Sequence, residues 1–352
     1  MDSVQLLEDT MRIKSHNSIE EIRSFLIEEI DGARIHETGC IHAERTGMGE
    51  GPRVILNTHM DVVSPHIDFR RTDDTVKGRG ACDAKGCLAP MVTAFSQCSP
   101  RQGSLLLVVS PDEETTQRGL YEYLSEGIEG DIAVVGEPTG LDVCPTARGH
   151  YDFQIEFHGQ AAHGATPDSG LNATSCAAEA IRRIEDIKQL TDAELGSNSF
   201  TPTIIQGGNR PNQVPEYAFL VIDYRTLPTE SREDAIETLK ETLNGLDCDF
   251  DIDRYKKGSA LASFRTDVEE SIAVHLQDSI EETTGQPPGI RPFDAATEAA
   301  FFAPHMPVVV FGPGHISDDE GPVAHSEREY VSVQEVRGAT ESLSLFLEDV
   351  LG

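Results

Sequence analysis

Apolar residues run along this chain in two different rhythms. In residues 53–58 (RVILNT), 104–109 (SLLLVV) and 132–135 (IAVV) they are nearly continuous over strand-like lengths. Such runs predict strands buried on both faces, as in a parallel sheet covered by helices. Residues 85–98 and 118–125 are the expected intervening helices. From residue 151 the rhythm changes: YDFQIEFH at 151–158 alternates apolar and polar, as a half-exposed antiparallel strand does. A helix at 171–187, strands at 201–205 and 217–224, a helix at 232–243 and a strand at 249–253 complete the series. The order strand-helix-strand-strand-helix-strand is that of a ferredoxin-like sandwich, and the pattern stops near Lys257. The first rhythm then returns with a helix at 268–284, a strand at 308–311 and a helix at 333–351. The expectation is an α/β protein: a mostly parallel-sheet domain in two parts, 1–146 and 261–352, with a ferredoxin-like α+β domain inserted at 147–260.

A length of 352 residues suits two domains. Charge changes the picture more. There are 61 Asp and Glu against 28 Lys and Arg, a formal net charge of −33 spread along the whole chain. That surface repels itself at low salt but is screened where the Debye length falls to roughly 3 Å, near 1 M salt. We read it as adaptation to a salty cytoplasm; an ordinary acidic enzyme is the plainer alternative. Nucleic acid and anionic membranes are poor partners for it. The start, MDSVQLLEDTMRIKS, lacks the basic-then-apolar pattern of a signal peptide, and no apolar run is long enough for a membrane span. The seven cysteines are scattered with no CxxC pair, so free thiols in a reducing, cytoplasmic compartment are expected.

The polar residues that could carry chemistry fall mostly just after the predicted parallel strands, where ligands bind in open α/β sheets. His59-Met60-Asp61 ends the first run; at a strand end the His and Asp side chains share a side, and a metal-binding His needs such an orienting carboxylate. Asp83, within GRGACDAKG, has glycines on both sides; taken alone it reads equally as a helix N-cap. Pro111-Asp112-Glu113-Glu114-Thr115 puts three acids at a strand end, either a solvated turn or a division of labour between a metal ligand and a proton carrier. Gly136-Glu137-Pro138 and Ala324-His325-Ser326-Glu327 follow further strands. Two His and three carboxylates, one shared, suit two divalent ions about 3.5–4 Å apart. This donor set fits zinc or cobalt better than magnesium.

HMD, GRGACDAKG, PDEET, GEPT and AHSERE, in this order, resemble the metallohydrolase family of aminoacylase, acetylornithine deacetylase, succinyl-diaminopimelate desuccinylase and related carboxypeptidases, over nearly the whole chain. The resemblance implies a catalytic domain carrying an inserted lid domain. One Zn2+ would be held by His59 and Glu137 and a second by Glu114 and His325, with Asp83 bridging. Asp61 would orient His59, and Glu113 would be the general base and acid. His163, in GQAAH, resembles the lid histidine that stabilises the oxyanion in the other subunit's site, which implies a homodimer through the lid. Asn212, in PNQVP, resembles the lid asparagine. Arg225 resembles an arginine that binds a substrate carboxylate, and Gly312 and Gly314 could present backbone donors to one; a strand-end ion pair and a turn are the plainer alternatives.

The segment Ala296-Thr297-Glu298-Ala299 resembles the acetylornithine deacetylase version of the substrate region and makes Thr297 a candidate substrate contact. The expected activity is hydrolysis of an N-acyl amino acid, N2-acetylornithine first, in arginine biosynthesis. Desuccinylase, dipeptidase, carboxypeptidase and carrier-linked amino-acid hydrolase activities are the alternatives, and a non-catalytic binding protein is the contrasting class. No GxSxG serine motif is present.

Overall fold

Two helices open the chain in the computed structural model, which describes residues 1–255, 260–269 and 272–352: α1 (Ser3–Arg12) and α2 (Glu20–Glu29). The Asp2 side chain caps α1 by accepting the Gln5 N–H. Next come β1 (Arg34–Ile35), β2 (Ile41–Thr46), β3 (Gly49–His59), α3 (Lys85–Gln97), β4 (Gln102–Ser110), α4 (Arg118–Leu124) and β5 (Ile132–Val135). The inserted segment supplies β6 (Gly149–His158), α5 (Ala173–Glu185), β7 (Ser199–Gly207), β8 (Tyr217–Thr226), α6 (Arg232–Leu243) and β9 (Asp249–Arg254). The chain ends with α7 (Ala273–Thr284), α8 (Ala299–Phe302), β10 (Val308–Val310) and α9 (Val333–Leu351).

The larger unit comprises Met1–Ala147, Arg265–Phe293 and Thr297–Gly352. Its sheet runs β1-β2-β4-β3-β5-β10. The pairs β4/β3, β3/β5 and β5/β10 are parallel, and β1 and β2 add an antiparallel edge. The apolar runs are buried as their continuity demands: Val54, Leu105, Leu107, Ile132 and Val309 are all within 1% of full burial, in one core with residues of α1, α2, α3, α7 and α9. The two opening helices and the antiparallel edge were not among the sequence expectations. The seventh helix begins at Ala273 rather than at 268.

The smaller unit, Arg148–Phe264 with Asp294–Ala296, is built on a four-stranded antiparallel sheet ordered β7-β8-β6-β9. Alternation along β6 sends Tyr151, Phe153, Ile155 and Phe157 into a core shared with α5 and α6, and leaves His150, Asp152, Gln154 and Glu156 on the other face. The pattern end expected at Lys257 lies outside the described residues. One expectation is corrected here: Cys176 and Cys248 form a disulfide, with Cα atoms 6.2 Å apart across 72 residues of sequence. No local spacing signals it, because the fold alone brings α5 to the start of β9. The other five cysteines form no disulfide among the described residues.

Candidate metal centre

The parallel register builds the site. His59 ends β3 opposite Ser110, the last residue of β4, and Asn57 lies opposite Val135 at the end of β5. The residues following these strand ends, 59–61, 111–114 and 136–137, therefore emerge side by side. Asp83 arrives just before α3. Its carboxylate does not cap that helix, whose N-cap is Ala84 with no side-chain bond. The carboxylate is thus free for other partners. Gly86 lets the turn close: a Cβ there would meet the Ala81 carbonyl at 2.3 Å.

His59, Asp83 and Glu137 offer ligand atoms within 4.8 Å of one another, and so do Asp83, Glu114 and His325. Asp83 belongs to both groups. Its Oδ1 lies 3.2 Å from His59 Nε2, and its Oδ2 lies 3.2 Å from His325 Nε2. Glu114 Oε1 lies 2.9 Å from the same His325 nitrogen. Two His and three carboxylates, one shared, are a donor set suited to a pair of borderline divalent cations. His59 Nδ1 faces Asp61, 3.0 Å from its carbonyl and 3.3 Å from its carboxylate. That contact fixes the ring so that Nε2 faces Asp83. His325 is held at φ +60°, a left-handed conformation uncommon for a non-glycine residue.

The acidic turn divides its three carboxylates. Asp112 is structural: it accepts the N–H groups of Arg118 (3.1 Å) and Gly119 (3.0 Å) and so folds the turn. Glu114 faces His325. Glu113 accepts from the Gln117 side chain at 2.8 Å. Burial, followed by the neighbouring acids Glu114, Asp83 and Asp61, pushes Glu113 up to about 8 against the pull of His59. Burial likewise raises Glu114 and, further, Glu137. Burial also acts to raise Asp83, but hydrogen bonds from His325 and His59 hold it well below the usual carboxylate range. His325 is raised to about 10 by its bonds to Asp83 and Glu114. So many acids gathered at two imidazoles require added positive charge, which two cations would supply.

Several expected residues have other neighbours. Thr297 is 1% exposed, and its hydroxyl donates to Glu137 Oε1 at 3.1 Å, so it is turned toward that candidate ligand carboxylate. The Gly312 N–H donates to Thr139 Oγ1 (3.1 Å) and the Gly314 N–H to Glu335 (2.8 Å), so both expected donors are used within the fold. In the smaller unit, His163 and Asn212 come from adjoining segments: His163 pairs with Gln213, and the Gly164 N–H donates to the Asn212 carbonyl. Arg225 forms a two-pronged pair with Asp223, at 2.8 and 3.0 Å, the plainer of its two readings. His150, Asp152 and Asp223 also cluster there, but Arg225 already engages Asp223 and completes an ion-pair network.

Sequence reasoning missed three buried groups beside the site. Glu298 shares a short hydrogen bond with Ser110 Oγ, and that hydroxyl also donates to the Thr58 carbonyl next to His59. Arg79 and Glu329 form a buried ion pair beneath Asp83. The last two lie inside GRGACDAKG and AHSERE, where Asp83 and His325 carry the more familiar metal-binding side chains.

The sequence model of Peptidase family M20/M25/M40 matches residues 55–349. A hydrolase of Pyrobaculum aerophilum named for LysW-lysine and LysW-ornithine is 29% identical over 358 aligned positions, covering 99% of this chain and 98% of its own. The acetylornithine deacetylase of Myxococcus xanthus is 28% identical and covers 87% of this chain and 82% of its own. Among solved structures, a tripeptidase of Staphylococcus aureus superposes with a TM-score of 0.80 at 18% identity, covering 99% of this chain and 98% of its own.

Proposed function

This chain belongs to peptidase family M20/M25/M40, a catalytic metal-dependent hydrolase, and from that premise we propose that it cleaves the amide bond on the α-nitrogen of ornithine or lysine. The observation that carries the chemistry is Asp83 shared between two His–carboxylate groups. In this reading His59 and Glu137 would hold one zinc ion and Glu114 and His325 the other, with Asp83 common to both groups. When bound, the ions polarise the amide carbonyl and acidify the attacking water. Glu113, held against Gln117, would take the water's proton and deliver it to the departing amine. Asp61 orients His59, and Thr297 orients Glu137.

The smaller unit, whose strand order fits a ferredoxin-like fold, acts as the lid. His163 is its oxyanion donor, Asn212 supports the same segment, and Arg225 exchanges Asp223 for a substrate carboxylate. The lid function implies a homodimer. The acidic surface fits a salty cytoplasm, whereas the Cys176–Cys248 disulfide is not what a reducing compartment leads one to expect.

Two acyl groups are supported by different observations. The segment Thr297-Glu298-Ala299 supports N2-acetylornithine, in arginine biosynthesis. The end-to-end match to the Pyrobaculum hydrolase, against 82% of the deacetylase, supports a carrier-linked ornithine or lysine. The second has the broader support because that match spans 99% of this chain and 98% of the Pyrobaculum protein, against 87% and 82% for the deacetylase. The test is release of free ornithine and lysine from N2-acetylornithine, N2-acetyllysine and the LysW-linked amino acids, with zinc or cobalt in high salt. Turnover only of succinyl-diaminopimelate or dipeptides would overturn the substrate assignment and leave the hydrolase assignment standing.

A further inference from the structure

The mechanism above leaves one buried charged pair without a task. Arg79 is 2% exposed and Glu329 1%. Their ion pair, Arg79 Nη1 to Glu329 Oε2, measures 2.5 Å. The other oxygen, Oε1, accepts the backbone N–H groups of Gly80 (2.9 Å), Cys82 (3.4 Å) and Asp83 (3.3 Å). Arg79 spends its remaining donors on carbonyls: Nη2 on His325 at 3.3 Å and Nε on Pro65 at 3.2 Å. The Gly78 N–H returns to the Glu329 carbonyl at 3.0 Å. The pair therefore grips two loops distant in sequence, the turn that presents Asp83 and the left-handed residue His325.

A buried ion pair is weak evidence for stability, since an apolar pair of equal volume often serves as well. This one is built differently from a staple. Its acceptor oxygen faces a fan of amides that ends at the shared ligand, and its cation faces the carbonyl of a ligand from the second group. Orientation of ligands by such outer partners is worth roughly 10–100-fold in metal affinity.

We propose that Arg79 and Glu329 are positioning residues that set Asp83 and His325 in register for two ions at once. The proposal rests on the metal-centre reading of the site. Neither residue belongs to the two candidate ligand groups. Glu329 acts on Asp83 through its backbone, and Arg79 acts on His325 through its carbonyl.

The test is metal affinity of the full chain, stripped with chelator and titrated with Zn2+ and with Co2+, by calorimetry and by the visible spectrum of the cobalt form. Folding of each stripped variant is followed by circular dichroism and melting temperature. Glu329→Gln keeps the size of the side chain but turns an amide group toward Arg79 or toward the amide fan. It is expected to weaken metal binding about 10–100-fold and to alter the cobalt spectrum. Should it fail to fold, the apolar double variant Arg79→Met/Glu329→Met replaces the pair without leaving a lone charge, and the same loss of affinity is expected from it at near-normal melting temperature. Phe346→Leu, in the core near the far end of α9, controls for general destabilisation: it should lower the melting temperature and leave metal affinity unchanged. Affinity within twofold of wild type in the folded Glu329 or double variant would overturn the positioning role and leave the metal centre intact. A wild-type chain that binds neither ion, or binds them unchanged after Asp83→Asn, would overturn the metal-centre reading itself.

Discussion

Asp61 holds Glu113 and its neighbour by their backbones: one carboxylate oxygen accepts the Glu113 N–H at 3.1 Å, and the other accepts the Glu114 N–H at 3.0 Å. The same carboxylate lies 3.3 Å from His59 Nδ1. One side chain thus orients a candidate ligand histidine and sets the direction in which two adjacent acids leave the chain. Asn at this position has a single acceptor oxygen and would set an amide group against the second N–H. Asp61→Asn should therefore reduce kcat/KM and metal affinity together, each by about 10–100-fold. Steady-state kinetics and metal analysis on one sample check it; a variant within twofold of wild type would remove Asp61 from the site.

Glu113 and Glu114 are chemically identical neighbours with separate surroundings. Glu114 meets His325, whereas Glu113 meets the Gln117 side chain. Glu113→Gln should keep both ions and lower kcat by about 10²–10⁴-fold, the range for loss of a positioned proton carrier. Glu114→Gln should lose metal as well as rate. Equal metal loss in both variants would contradict the separation.

Much of this arrangement is legible from sequence because continuous apolar runs define parallel strands, and parallel strands deliver whatever follows them to one edge. HMD, PDEE and GEP needed only that rule to be grouped. His325 is harder: it follows β10 through a loop, at a backbone conformation that composition does not reveal. Partners at long range escaped altogether. Nothing in the local pattern near residue 79 points to residue 329, and nothing near Cys176 points to Cys248, since both pairings depend on tertiary packing. Thr297 and the glycines 312 and 314 show a different limit. Their motif was visible, but a motif does not say whether a hydroxyl or an N–H is turned toward a ligand or toward the fold.

Without ions the centre should destabilise the fold as pH rises. Glu113 is raised from 4.5 to about 8, mainly by burial, and Glu114 and Glu137 shift in the same direction. His325 is raised from 6.5 to about 10 by its bonds to Asp83 and Glu114. Each of these groups holds its proton more tightly folded than unfolded, so between about pH 5 and about pH 8 the folded chain carries the extra protons and its stability falls with rising pH. Asp83 has the opposite sign, but its effect lies in acid below this window. The melting temperature of chelator-treated protein should drop across the window. Zinc should restore it, with proton release on binding. Calorimetry in buffers of different ionisation heat measures that release, and a flat or rising melting temperature in the stripped protein would refute the electrostatic account.

His163 lies exposed in the smaller unit, paired in register with Gln213 beside Asn212. As the proposed oxyanion donor it contributes to the transition state, while in the resting fold its ring accepts the nearby Ala165 N–H at 3.1 Å. His163→Ala should lower kcat by about 10²–10³-fold, with metal content and melting temperature unchanged. If His163 acts across a dimer, mixing inactive Glu113→Gln and His163→Ala chains should restore part of the activity, because one site in the mixed dimer then has both groups intact. No recovery on mixing, in a sample shown to exchange subunits, would confine His163 to its own chain.

The surface charge makes a separate prediction about salt. A net charge of −33 includes direct conflicts: in the β6/β9 register Glu156 faces Asp251, and β9 carries further acids at Asp249 and Asp253. Like charges directly opposite each other destabilise a sheet. His158, 2.9 Å from Asp251, offers a positive partner there, and both side chains are well exposed. Screening shortens the reach of this repulsion from about 10 Å near 0.1 M salt to about 3 Å near 1 M. The melting temperature should therefore climb by several degrees as KCl is raised over that range, at fixed pH and metal content. Asp251→Lys places a cation opposite Glu156, so it should raise stability at low salt and shrink the gain from added KCl. A melting temperature that ignores salt, or a lysine variant less stable than wild type at low salt, would show that the acids are already balanced locally and that the charge is no adaptation to salt.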